Sequence, residues 1–196
     1  MSKSKITSAI VLVLILIILP IFAWYFLQKG TQMRKDAMQD LNPKGGVDLF
    51  QLTTDDDSTF TQSHFLTKKW LVCFFEHDSI GLQSLQIIKS INKQASEDFV
   101  LNVFSVMGLK EGELIKDASY KHDISNFKFW KKAYIANVHL YKFCDKVFQV
   151  PLELYNKPVA LLLDQNSQIR AYYNLEDPES VKMLVKQLPV FLSLKN

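Results

Sequence analysis

The sequence predicts an α/β domain, a central mixed sheet flanked by helices, carried behind one apolar N-terminal helix. Three stretches predict it. Residues 69–96 set an unbroken apolar run, 70–75, against a helical stripe that begins at Leu82. Residues 98–107 form a second apolar, β-branched run, so strand, helix and strand follow at the spacing of a right-handed βαβ crossover with parallel strands. Residues 159–173 read as two strands around the turn Gln165-Asn166-Ser167, an antiparallel β-hairpin.

Residues 6–28 hold no charge and are long enough to cross a hydrocarbon core of ~30 Å at about 1.5 Å per residue. Trp24 and Tyr25 lie near one end, where interfacial aromatics belong. No small-x-small cleavage site follows Phe26, so the segment is expected to be an uncleaved signal anchor, with Pro20 a tolerated kink. The expected organisation is a head (1–5), a transmembrane anchor (6–28), a linker (29–46) and one domain (47–196). A domain of that length buries a real core without disulfides. The formal charge is +3, but five of the 23 basic residues, Lys3, Lys5, Lys29, Arg34 and Lys35, flank the apolar segment. The remaining 18 face 20 acidic residues, so the basic excess belongs to the membrane flanks and gives no evidence for nucleic-acid binding.

Each later element has a local signature. Residues 32–46 are polar and end in Asn-Pro-Lys-Gly-Gly, the mark of a tether closed by a turn. Residues 47–53 and 60–61 read as short strands joined by Asp55-Asp56-Asp57-Ser58. Three successive aspartates suggest calcium, but the EF-hand spacing and its distal glutamate are missing, so a solvated turn is expected. Residues 70–75 are apolar on both faces, as a central strand must be. The run stops at Glu76-His77-Asp78-Ser79. Asp78 or Ser79 is placed to cap a helix whose stripe is Leu82, Leu85, Ile88 and Ile91. Such a corner gathers backbone N–H groups and the positive end of a helix dipole, and many α/β proteins keep their chemistry there. This one holds no thiol, glycine-rich phosphate loop or nucleophile elbow. Residues 108–137 are less regular, with aromatic bulk from Phe127, Phe129 and Trp130. A helix is expected over 138–148, stopped by Pro151. Asp177 caps the last helix with Pro178 at its first position, on the stripe Val181, Leu184, Val185, Leu188 and Leu192. Trp70, Tyr172 and Tyr173 fit either core or a partner surface.

The reactive side chains are few. Cys73 lies inside the buried strand, and Cys144 falls on the helical stripe Val138, Tyr141, Cys144, Val147 and Phe148, so both are expected to be small buried hydrophobes rather than a disulfide. His77 sits in the corner between Glu76 and Asp78, where a capping or solvent-facing role is favoured over metal ligation. His64, His122 and His139 show no ligand spacing; His139 is five residues before Cys144, off the i, i+4 face.

The full order is hairpin, βαβ, helix, hairpin and helix, that of the thioredoxin fold with an N-terminal extension. Three stretches, FQLTTDDDSTF, WLVCFFEHDSIGLQSLQII and PVALLLDQNSQIRAYYNLEDPESVKMLVKQL, resemble the SCO/SenC family. The resemblance implies a thioredoxin-like domain on a single membrane helix, outside the cytoplasm or in the periplasm, concerned with copper delivery to cytochrome oxidase. The family's chemistry uses two cysteines four apart and a later histidine. In this chain those positions fall near Asp78, Leu82 and Asn156. All three ligands are absent, and Cys73 lies too early and inside a strand. The resemblance therefore implies a degenerate pocket of Glu76, His77, Asp78, Leu82, Asn156 and Pro158, with no catalytic residue, metal or cofactor. Lys157-Pro158-Val159 resembles the cis-proline arrangement of thioredoxin-like proteins; a trans proline opening an edge strand is the alternative. The function expected is binding, with respiratory-oxidase assembly proteins as partners. The alternatives are a thiol redox protein using Cys73 or Cys144, or a copper site rebuilt around His77.

Overall fold

The apolar segment opens a single helix, α1 (Lys3–Asp40), long and apolar enough by length and composition to cross a membrane. The structure is a computed structural model that describes residues 3–95, 100–115, 118 and 123–194. The chain divides into two compact units, Met1–Gln39 and Asp40–Asn196. Residues 32–40, expected as part of a loose tether, continue α1. They contain no Gly, Pro or β-branched residue, and Gln, Met, Arg, Lys and Ala all favour helix.

In the second unit β1 (Gly45–Gly46) already pairs with the closing hairpin, so ordered backbone begins before Val47. A separate two-stranded ladder follows, β2 (Gln51–Thr53) against β3 (Thr59–Thr61), shorter at its start than the 47–53 run suggests. Next come β4 (Trp70–Glu76), α2 (Ser79–Ala95), β5 (Asn102–Leu109), β6 (Trp130–Ala136), α3 (Asn137–Phe148), β7 (Val159–Leu163), β8 (Gln168–Asn174) and α4 (Pro178–Ser193). Residues 98–99 of the predicted second strand lie outside the described residues. The six-stranded sheet has the order β1-β8-β7-β4-β5-β6. β4 runs parallel to β5 from Trp70 opposite Asn102 to Glu76 opposite Gly108, and antiparallel to β7, so the sheet is mixed as expected.

Strand period sorts β4 into two cores. Leu71, Cys73 and Phe75 pack with Leu85 and Ile88 of α2 and with Leu184, Leu188 and Phe191 of α4. Val72 and Phe74 face the other way, onto Leu140 and Phe148 of α3 and an aromatic cluster capped by the β2–β3 ladder. There Phe60 stacks on Phe104 with ring centroids 4.1 Å apart. Each such buried side chain contributes about 1.5–3 kcal/mol against exposure. Two stripes need correction. Val138 is 80% exposed, its place taken by Leu140, and Val185 is 43% exposed while Phe191 is buried. Trp70 and Tyr173 are core. Tyr172 is half-buried, its hydroxyl donating to the Phe148 and Gln149 carbonyls at 3.0 and 3.1 Å.

β6 lies in the stretch read as irregular. Its pattern is broken by Lys131 and Lys132, whose partners come from the aspartate turn: Lys131 Nζ reaches Asp56 at 2.6 Å and Lys132 Nζ reaches Asp55 at 3.2 Å. Lys131, with the Thr54 and Ser58 hydroxyls, holds the Asp56 carboxyl well below the usual range. These carboxylates are turn and strand fasteners. Pro158 does not open an edge strand, because β7 pairs with both β4 and β8; the Lys157–Pro158 bond is trans.

Candidate functional site

The corner after β4 is built as a capped junction. The His77 N–H donates to the Gly108 carbonyl at 2.9 Å, extending the β4–β5 ladder by one residue. Asp78 Oδ1 accepts from the Gly81 N–H at 2.7 Å, satisfying one of the orphan donors of α2. Gly81 is required by space: a Cβ there would overlap the Glu76 carbonyl oxygen. The first turn of α2 thus folds directly onto the end of β4.

That close approach leaves a notch of about 100 Å³ lined by residues from four places in the chain. Glu76, Asp78, Ile80 and Gly81 come from the corner and Tyr141 from α3. Asn156 and Pro158 come from the turn before β7, and Glu176 from the turn before α4. The notch holds three carboxylates, and none of its lining residues is basic. Burial, and then a hydrogen bond to Glu76, push the Tyr141 phenol far above its ordinary value, so it stays protonated and donates. Asn156 sits at φ +61°, in the left-handed region that asparagine tolerates better than other non-glycine residues.

Four of the six residues named from the sequence, Glu76, Asp78, Asn156 and Pro158, meet in this notch. Leu82 lines neither it nor the groove beside it; it is half-buried one helical turn on from Asp78. His77 is neither a cap nor solvent-facing. It is 7% exposed, and its Nδ1 pairs with the Glu113 carboxylate. The corner's side chains alternate along the strand direction, which turns Glu76 and Asp78 to one side and His77 to the other. Glu113, Tyr141 and Glu176 had no local signal; Gly81 in the first turn of a helix was one, since glycine there marks a close backbone approach.

The two cysteines are free and buried in separate cores on opposite sides of the sheet. Burial raises both thiols well above their ordinary value, the reverse of what a nucleophilic thiolate needs. Asp78, Leu82 and Asn156 offer a carboxylate, an isobutyl group and an amide, none of them the soft thiolate or imidazole donor that suits copper. Among the described residues no group of three His, Cys, Asp or Glu side chains is placed to hold a metal ion.

A six-stranded mixed sheet, its βαβ corner beside a proline turn, flanked by helices on both faces, defines the thioredoxin-like class. No family model and no curated protein matches the sequence. Solved structures match its fold. BsSco, a member of the Sco family of cytochrome c oxidase assembly proteins, superposes with a TM-score of 0.61 at 16% identity, covering 79% of this chain and 98% of that one. A SCO1/SenC family lipoprotein from Bacillus anthracis gives 0.57 at 18% identity, over 76% and 96%. The thioredoxin domain of a thiol-disulfide oxidoreductase from Bacteroides vulgatus gives 0.54 at 13%, over 78% and 99%. At these identities the likeness shows the fold.

Proposed function

We propose that the chain is a membrane-tethered protein of SCO/SenC type that works by binding, as an accessory factor in the assembly of respiratory cytochrome oxidase, without thiol or copper chemistry. The anchor is the apolar part of α1, and the domain faces the periplasmic or extracytoplasmic side. The observation that carries the reading is the notch, which gathers Glu76, Asp78, Asn156 and Pro158 at the strand-to-helix corner with oxygen and amide donors and no thiol or imidazole in its lining. Support from the fold comes from the Sco structures, which it matches along nearly their whole length. A rebuilt copper site at His77 has less support, because that ring is buried and paired with Glu113. A redox role for Cys73 or Cys144 has less again, since neither thiol has a resolving partner on its own face of the sheet.

Copper(I) titration of the full chain in lipid nanodiscs, followed by ultraviolet absorbance, is the test. The native protein gives no thiolate-to-copper band and no affinity tighter than about micromolar, whereas Asp78→Cys/Leu82→Cys/Asn156→His gains both. Maleimide labels Cys73 and Cys144 only after unfolding. A native copper band, or a thiol that labels in the folded protein, overturns the reading.

A further inference from the structure

We propose that the groove between α2 and the start of α4 docks a partner segment that presents an apolar side chain next to a lysine or arginine. This rests on the binding role proposed above and names the chemistry of the partner. The groove has a volume of about 380 Å³ and apolar walls of Ile80, Ile87, Leu175, Pro178 and Val181. Ile80 and Glu176 also line the notch, so the mostly apolar groove and the acidic notch adjoin across these two residues. Ile80, at their junction, is 45% exposed, whereas α2 buries Leu85, Ile88 and Ile91 and half-buries Leu82 and Ile87. An apolar residue left open at the mouth of a concave surface is typical of an interaction site.

Charge complementarity selects the occupant. Glu76, Asp78 and Glu176 line the notch, and no residue lining either depression is basic. Asp78 uses one oxygen on the Gly81 N–H and Glu76 accepts from Tyr141, but an ionised carboxylate has about four acceptor positions, so each keeps capacity for a cation. A purely apolar segment would cover these carboxylates without pairing them, which costs more than it returns. A bare metal ion is disfavoured because, among the described residues, no three donors converge. The notch, at about 100 Å³, matches one ammonium or guanidinium head with its last methylenes, the apolar neighbour then lying along the groove.

The probe is a fluorescein-labelled dodecapeptide of glycine and serine carrying one leucine–lysine pair. Its affinity is measured by anisotropy on the full chain in phosphatidylcholine nanodiscs at low salt. Replacing the lysine by norleucine, or testing the exposed-site variant Glu176→Gln, weakens binding about fivefold; replacing the leucine by serine, or testing Ile80→Ser, does the same. An unchanged melting temperature certifies both variants as folded. The proposal is overturned if the norleucine peptide binds equally well, if neither variant changes the affinity, or if no peptide binds saturably. It is also overturned if calcium displaces the peptide beyond the effect of sodium at equal ionic strength, which would make the notch a metal site. Copper or thiol alkylation that alters peptide affinity would instead count against the binding-only reading and leave the groove standing.

Discussion

The corner at residues 76–82 and the closing hairpin at residues 159–174 stand on neighbouring strands of one sheet, yet they use their polar groups in opposite ways. In the hairpin, Asp164 is 2% exposed and accepts from the Asn166 and Gln168 N–H groups, each at 2.9 Å, and from Arg170 Nε at 2.8 Å. Arg170 also donates to the Leu41 carbonyl at 3.2 Å, tying the start of the domain to the sheet. Tyr173 donates to Gln187 at 2.6 Å, and Gln187 in turn to Asp40 at 3.1 Å. At the corner three carboxylates share one notch with no cation among its lining residues. The difference separates a region whose buried charge is paired with a cation, which stabilises the fold, from one whose carboxylates meet only neutral donors within the notch.

Four measurements break or sharpen that contrast. The largest effect belongs to Asp164→Ala, which strands Arg170 and two turn N–H groups; it costs about 3 kcal/mol in denaturant unfolding. A loss below ~1 kcal/mol would mean that the hairpin is no better fastened than the corner. Gly81→Ala comes next at about 2 kcal/mol, because the added methyl meets the Glu76 carbonyl and α2 must shift to accept it. That cost comes from backbone shape and not from any charge at the corner.

Tyr172→Phe removes a hydroxyl bonded to the carbonyls at the end of α3 and costs about 1 kcal/mol near neutral pH. Burial pushes the Tyr172 phenol up to about 12, against about 10 in the unfolded chain. Its contribution is therefore full below pH ~10 and is lost as pH rises from there through about 12, so the variant's alkaline unfolding limb is flatter over that window. The smallest effect is Glu176→Gln, within about 0.5 kcal/mol of the parent in the same unfolding assay. A loss of 2 kcal/mol would show that the notch carboxylates stabilise the fold after all.

How far the chain could be read in advance depended on where each partner lay. β4, α2 and the β7–β8 hairpin announce themselves through periodicity and caps confined to a few residues; Asp177, whose side chain accepts from the Glu179 N–H at 3.2 Å, is as local as such a signal gets. β6 was illegible because Lys132 points inward and is 4% exposed, a pattern no strand template allows. Its acceptability depends on Asp55, far back in the sequence and brought alongside by the bridge between Thr54 and Ala133. His77 misled for the same reason, since Glu113 arrives from beyond β5. Lys69 carries no local signal either; its ammonium collects the Phe191, Leu192 and Leu194 carbonyls at 2.9, 2.9 and 2.6 Å and closes the C-terminus of α4.

By itself the sequence determined the frame of this protein: an apolar first helix, a βαβ unit, a closing hairpin and helix, and a corner without a thiol. Those features follow from side-chain period, capping chemistry and residue identity, all of them local. Only the tertiary structure decided that the corner carries an acidic notch beside an apolar groove, that the two thiols are kept apart by the sheet, and that His77 turns inward. Each of these depends on which distant segments meet across the sheet, and packing of the whole domain sets that.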